Sequence, residues 1–133
     1  MTRLSCTVVT PEETALDEQV EFAALPLYDG EIGIGFNHTP LVGRLGYGEM
    51  RLRSGDKVSR YYVDGGFVQV VDNTVTILTS RAVAAGEIDA DSAKQQLATA
   101  LERPANTPEL LEIRDRLVSQ ARGQTRVARR SEQ

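Results

Sequence analysis

The amino-acid sequence predicts a mainly β fold with a helical end: an N-terminal β-sandwich of two packed antiparallel sheets, followed by a C-terminal antiparallel helical hairpin. Two observations predict this fold class. Through residue 86, short runs of alternating or β-branched residues are separated by Gly, Pro and Asn, which is typical of an all-β domain. From residue 87 the apolar residues recur every three or four positions, which is the period of a helix. The sequence therefore divides into two predicted domains, 1–86 and 87–133.

The first predicted strands are short and end where the pattern breaks. The run LSCTVVT ends before Pro11, VEFAAL ends at Pro26, and EIGIGF follows. In EMRLR the apolar and charged residues alternate, so we expect Arg51 and Arg53 on the solvent face of a strand.

Two longer strands are predicted in YYVDGGFVQVVDNTVTILTS. Asp72 and Asn73 tolerate the left-handed backbone of a tight hairpin turn, so the chain is expected to reverse there. The pair Gly65-Gly66 inside the first of these strands indicates a bend or bulge. Two packed sheets are the usual arrangement for this many short strands, and we expect the sandwich to end near Ala85.

Two helices are predicted after the sandwich. Asp89 can cap the first, and Thr107 with Pro108 can begin the second after the PANTP interruption. Gly123 is expected to end or weaken the second helix. The first helix has an alanine-rich apolar face, and because a methyl group buries little area, we expect this helix to dock weakly on the sandwich. The predicted apolar stripes are Ala93, Leu97, Ala100 and Leu101, then Leu110, Ile113, Leu117, Val118 and Ala121.

The charge distribution separates an acidic body from a basic tail. Residues 1–103 contain nine Lys and Arg against fifteen Asp and Glu, whereas residues 104–133 contain six Arg against four acidic residues. Nucleic acid is not expected as a partner, because binding phosphates requires a basic face on the body. No run of about 20 apolar residues and no apolar signal segment is present, which favours a soluble, intracellular protein.

The residues available for chemistry argue against an enzyme. His38 is the only histidine and Cys6 the only cysteine, so a Ser/His/Asp site is a poor fit and a zinc site lacks ligands. We expect no catalytic and no metal-binding residue. His38 is expected in a turn before Pro40, with its imidazole bonded to backbone, and Cys6 is expected to be buried in a strand. The absence of Trp argues against a sugar-binding sandwich.

Three segments together resemble the epsilon subunit of F-type ATP synthases. They are DGEIGIGFNHTPLVGRL, YGEMRLR and YYVDGGFVQVVDNTVTILTSRAVAAGEID, in this order. The family pattern has an E-G-E-[LI]-G-I segment, a G-H-x-P-L turn, an S-G-G strand, a V-T-[VI]-L strand and an [LI]-D helix start. The resemblance runs essentially from end to end. Asp29, Asn37 and Asp64 depart from it at loop positions, which leaves the assignment intact.

The resemblance implies a non-catalytic rotor subunit of the central stalk. Such subunits bind the gamma subunit through the sandwich and rest on the membrane-embedded c-ring, so that ring rotation turns gamma within the alpha/beta catalytic head. A glycine-rich loop would allow close approach of the ring, and the expected contact residues are Glu31, Ile32, Gly33 and His38. The resemblance also implies a peripheral position on the cytoplasmic face of a bacterial inner membrane, with a plastid thylakoid as the alternative.

The helical hairpin has a second implied role. In the family it can leave the sandwich and extend into the head, where its basic side chains meet acidic residues of the beta subunit and oppose ATP hydrolysis. The arginines that would do so are Arg114, Arg116, Arg122, Arg126, Arg129 and Arg130. A solvated helix face is the alternative explanation for them.

One departure from the family concerns nucleotide. Some members bind ATP on the hairpin with an [LI]-D-x-x-R-A segment, and here IDADSA places Ser92 where that arginine would stand. We therefore expect no cofactor and no ATP binding on the hairpin. A stand-alone β-sandwich adaptor that pairs through a strand edge, or a small-ligand-binding protein, remains the alternative function.

Overall fold

The computed structural model describes residues 3–131. It confirms an N-terminal β-sheet domain followed by two helices that pack together. A short 3-10 segment, Ala85–Glu87, joins the two parts. The strands are β1 Leu4–Val9, β2 Thr14–Val20, β3 Phe22–Leu27, β4 Gly30–Ile34, β5 Leu41–Ser54, β6 Lys57–Val71, β7 Thr74–Leu78 and β8 Ala82–Ala84, and the helices are α1 Ala90–Leu101 and α2 Pro108–Ser131.

The strands are hydrogen-bonded in one continuous path rather than in two separate antiparallel sheets. Their order is β2-β1-β7-β6-β5-β3-β4, with β8 pairing beside β6. The β1–β7 pair is parallel, whereas the other pairs are antiparallel. The prediction of purely antiparallel pairing is therefore corrected. The physical reason is that β1 and β7 are far apart in the chain, so no tight turn fixes their relative direction.

The long β5–β6 ribbon joins the two halves of the sandwich. The C-terminal part of β6, Phe67–Val71, pairs with β7, and its middle part, Tyr61–Val63, pairs with β8. Between them Gly65 and Gly66 adopt positive φ angles of 71° and 106°, a backbone irregularity at the place where a bend or bulge was predicted. Buried side chains from both halves form one core, which includes Leu4, Val8, Leu25, Ile34, Met50 and Ile77.

Local features of the strands follow from the sequence in part, and two strands, β2 and the short β8, were not predicted. Asp72 and Asn73 form the β6–β7 turn with φ of 49° and 58°, as predicted. The sequence reasoning did not identify β2, an edge strand that is mostly exposed and polar. Pro26 lies inside β3 rather than ending it. It falls at a register shift against β5, where the lack of an N–H removes no ladder bond.

The two helices confirm the predicted starts. The Asp89 carboxylate accepts hydrogen bonds from the backbone N–H groups of Asp91 at 3.0 Å and Ser92 at 3.4 Å, which caps α1. The hydroxyl of Thr107 accepts from the N–H of Leu110 at 3.2 Å at the start of α2. α1 packs mainly against α2, and α2 packs on β5, β6 and the 3-10 segment.

Gly123 was expected to end or weaken α2, and it does not end the helix, which continues to Ser131. Gly123 lies directly against the backbone of β5. A Cβ at this position would lie 2.5 Å from the carbonyl oxygen of Tyr47. Tertiary contact, and not helix propensity, therefore explains this glycine.

Candidate functional site

Glu31 lies on edge strand β4 and is bound by an arginine from two strands away. Arg51 of β5 reaches across β3, and its Nη2 donates to Glu31 Oε1 at 2.7 Å while its Nη1 donates to Oε2 at 3.4 Å. The hydrogen bond with Glu31 raises the pKa of Arg51, although burial acts in the opposite direction. Glu31 itself is half exposed, so its carboxylate remains accessible to a partner.

Arg51 also binds a second, buried carboxylate. Glu49 is only 7% exposed, and its Oε1 accepts from Arg51 Nη1 at 3.2 Å and pairs with Arg130 Nη1 at 3.3 Å. The other oxygen of Glu49, Oε2, is buried without a hydrogen-bond partner. We call the series Glu31, Arg51, Glu49 and Arg130 the charge chain. It connects β4 through β5 to the end of α2.

The arginines of α2 fall into three environments. Arg126 donates from Nη2 to the carbonyl oxygen of Tyr47 at 3.5 Å, and Arg130 joins the charge chain. The Nε of Arg114 is buried without a hydrogen-bond partner. The remaining three, Arg116, Arg122 and Arg129, are exposed, as Arg126 and Arg130 also are despite their contacts. The solvated-face explanation therefore describes only part of the set.

A groove lies between α2 and the β3–β4 turn and brings the two predicted residue sets together. Its volume is about 550 Å³, and Glu31 and Glu49 line its sheet side. Its helix side is formed by Arg122, Arg126, Arg129 and Arg130. The sequence analysis assigned Glu31 and these arginines to two separate contacts. The structure places them on opposite walls of one groove.

The other residues predicted beside Glu31 lie elsewhere. Ile32 packs partly into the core, and the ring of Phe22 occupies the space where Gly33 would carry a Cβ. The segment that contains Ile32 and Gly33 is the strand β4, which confirms the strand predicted in EIGIGF and shows that these two residues do not lie in a loop. Gly33 therefore serves the packing of Phe22.

His38 lies in the loop after β4, at the opposite end of that strand from Glu31. Its backbone N–H donates to the Gly35 carbonyl at 3.2 Å, and its Nδ1 lies 2.7 Å from the Thr39 carbonyl oxygen. Because a carbonyl can only accept, Nδ1 carries the proton in this contact. The adjacent Asn37 N–H donates to Asn73 Oδ1 at 2.6 Å, which fixes the loop to the β6–β7 turn. The predicted turn with a backbone-bonded imidazole is confirmed.

An exposed apolar patch covers the outer face of β5, β6 and β7. Val42 is 76% exposed, Phe67 55% and Leu78 51%. Phe67 pairs directly with Leu78 across β6 and β7, and its other cross-strand neighbour is Arg44 of β5. Large apolar side chains grouped on one sheet face are typical of a protein-binding surface. The sequence reasoning missed this patch, although the alternation in β6 contained the signal.

The space between α1 and α2 is where a nucleotide site would be sought in this arrangement. A cleft of about 410 Å³ is lined there by Ser92, Gln96, Thr99 and Gln120, with Arg103 as its single cation. Within residues 3–131 no group of His, Cys, Asp and Glu is suited to hold a metal ion. Neither described helix combines the length and apolarity needed to cross a bilayer.

Comparisons with known proteins agree on one family. A model of the β-sandwich domain of the ATP synthase delta/epsilon chain matches residues 3–85. The ATP synthase epsilon chain of Rhodopirellula baltica is 48% identical over 126 residues, which cover 95% of this chain and 98% of the relative. That of Anaeromyxobacter sp. is 39% identical over 100 residues, which cover 75% and 76%.

Solved structures share the fold. A chain of the Euglena gracilis mitochondrial ATP synthase, solved with OSCP, F1 and c-ring, superposes with a TM-score of 0.82 at 24% identity, covering 91% of this chain and 78% of the other. A chain from the central stalk and c-ring of the Tetrahymena thermophila mitochondrial ATP synthase gives a TM-score of 0.76 at 19% identity, covering 94% and 96%. At these identities the likeness shows a common architecture for both domains.

Proposed function

The chain belongs to the epsilon chains of ATP synthase, as a non-catalytic subunit of the central stalk, and on that premise we propose how its surfaces couple the c-ring to the catalytic head. The single observation that supports this proposal is that the sandwich presents two unlike surfaces: the apolar patch on β5–β7, and the charged edge at Glu31. A stalk subunit that transmits torque needs one firm contact on each side.

The apolar patch is the proposed gamma-binding surface. Val42, Phe67 and Leu78 offer exposed side chains whose burial would stabilise a lasting contact, at roughly 25 cal/mol per Å² of apolar surface. His38 lies in a loop tied to the β6–β7 turn, so we assign it to the end of this surface rather than to the edge at Glu31. This assignment separates two contacts that the sequence had placed together.

The proposed ring contact lies at Glu31. Its carboxylate is half exposed and held by Arg51 in a fixed position, which suits recognition of a polar loop with a cationic group. The subunit would then be peripheral to the membrane through the complex, and we propose the cytoplasmic face of a bacterial inner membrane as its location.

The helices carry the proposed regulatory role. We call α2 seated when it packs on the sheet as described above. In this position Arg126 and Arg130 contact the sandwich, whereas Arg116, Arg122 and Arg129 face solvent. Release of α2 would make all of them available to acidic residues of the beta subunit, where they would oppose ATP hydrolysis. The α1–α2 cleft offers a triphosphate one cation, Arg103, together with Ser92. We therefore propose that ATP does not control whether α2 lies on the sheet.

Substitution of Glu31 tests the coupling role. In membranes reconstituted with the complete synthase, Glu31→Ala is expected to weaken ATP-driven proton pumping without preventing assembly, because one charged contact to the ring is lost. Glu12→Ala, which makes the same charge change in the β1–β2 turn, serves as the control. Unchanged pumping and assembly in the Glu31→Ala complex would reject the ring contact.

A further inference from the structure

The charge chain links a surface residue on β4 to α2, which packs on the same face of the sheet. Glu31 and Glu49 share one arginine, and Glu49 uses one oxygen for both Arg51 and Arg130. The four charges sum to zero, so loss of the charge at either end leaves a net charge on the remaining three. Arg130 is the only member contributed by α2.

Glu49 makes this arrangement sensitive. Its carboxylate is buried in the described structure and its Oε2 lacks a hydrogen-bond partner, so the two arginines at Oε1 are what stabilise its charge. When a buried carboxylate loses one of two cationic partners, its interaction with the remaining partner becomes stronger. Departure of Arg130 would therefore shift Arg51 toward Glu49 and weaken its hold on Glu31.

We propose that the charge chain is a latch by which a cationic partner at Glu31 releases α2 from the sheet. A cation at Glu31 replaces Arg51 as the partner of that carboxylate, so Arg51 turns fully to Glu49 and the pair with Arg130 becomes less favourable. The added positive charge also repels Arg130. Because coupling between two sites is reciprocal, unseating of α2 also makes Glu31 a better ligand for that cation.

This latch rests on the proposed function only for the identity of the cationic partner, which would be a polar loop of the ring. The seating of α2 in the isolated chain is independent of it. Hydrogen exchange of the backbone amides of residues 121–128, where α2 packs on the sheet, reports the fraction of time that the helix is unseated.

The test uses the full-length chain with three substitutions and a control. Arg130→Gln is expected to speed exchange of these amides about fivefold, the scale of a partly buried ion pair. Arg116→Gln, which makes the same charge change at an exposed position of α2 outside the groove, is expected to leave exchange within about twofold. Glu31→Gln is expected to speed exchange less than Arg130→Gln. Glu31→Lys, which places a cation at this edge, is expected to speed it more than Glu31→Gln.

The double variants decide whether the effect passes through the chain. In the Arg130→Gln background, Glu31→Gln and Glu31→Lys are expected to have no further effect on exchange. Equal effects of the Glu31 substitutions with and without Arg130 would overturn the latch, as would exchange that none of the Glu31 substitutions changes. Either result would leave the ring contact itself standing, since that contact is measured by proton pumping in the complete synthase.

Discussion

Cys6 shows how a single buried group sets a limit on the pH range of the fold. It lies in β1 with no exposed surface, where desolvation, with smaller contributions from the charges of Glu18 and Asp17, raises the pKa of its thiol from 9.0 to about 12. Burial and the low dielectric of the core thus keep the thiol protonated, and it acts as a small apolar side chain. The effect of Cys6 on the free energy of unfolding should therefore become measurable at alkaline pH.

We expect the stability of the folded chain to fall as pH rises above 9. Between 9 and about 12 the unfolded chain ionises Cys6 and the folded chain does not, so unfolding releases a proton and the free energy of unfolding declines by about 1.4 kcal/mol per pH unit. Urea titrations at pH 8.0 to 10.0 measure this slope. In Cys6→Ala most of the decline between pH 9 and pH 10 should disappear, and the remainder comes from Tyr61 and Tyr62, whose pKa values burial also raises from 10.0. A wild-type stability independent of pH over that interval would contradict the assignment.

The burial and orientation of the side chains in the charge chain were only partly predictable from the sequence. The alternation in EMRLR correctly assigned Met50 and Leu52 to the core and Arg51 to the opposite face. The same alternation gives Glu49 the solvent face. It is buried because α2 covers that face, and a helix more than fifty residues later in the chain is not visible in the local pattern.

At the scale of elements, signals that act within a few residues were the reliable ones. The cap at Asp89, the turn at Asp72-Asn73 and the backbone irregularity at Gly65-Gly66 were each predicted, because each depends on the conformation of its own short segment. The polar edge strand β2 was missed because it buries few side chains and so carries no apolar alternation. The continuation of α2 through Gly123 was not predicted, because the contact that explains this glycine is with a distant strand.

Gly123 provides the test of how α2 is seated. Alanine favours a helix over glycine by about 1 kcal/mol, so Gly123→Ala would stabilise an unseated helix. In the seated helix, however, the new alanine Cβ would collide with the Tyr47 backbone. We therefore expect the free energy of unfolding, measured with urea, to fall by about 1–3 kcal/mol.

The matched control is Ser119→Ala, at an exposed position of the same helix, which is expected to change the free energy of unfolding by less than about 0.5 kcal/mol. A gain of stability in Gly123→Ala would mean that helix propensity dominates and that α2 is not packed closely on β5.

At the scale of the whole molecule, the sandwich and the helices differ in how they are held. The sandwich has one continuous core that draws on both halves of the sheet. The helices are attached through α2, by a small second core that includes Tyr62, Ala85 and Val127, and by the charge chain. One continuous core with a separately attached helix pair suits the two roles proposed above, transmission of rotation and regulation of hydrolysis.

The most direct measurement of this account is the rate of ATP hydrolysis by the assembled catalytic head with the full-length chain and with a chain that ends at Arg103. Loss of residues 104–133 removes α2 and its six arginines, and the account predicts a several-fold higher rate with assembly intact. Full-length chain carrying Arg116→Gln, Arg122→Gln and Arg129→Gln should show part of the same increase, because charge and not bulk is responsible. An unchanged rate after truncation would contradict the regulatory role of the helices.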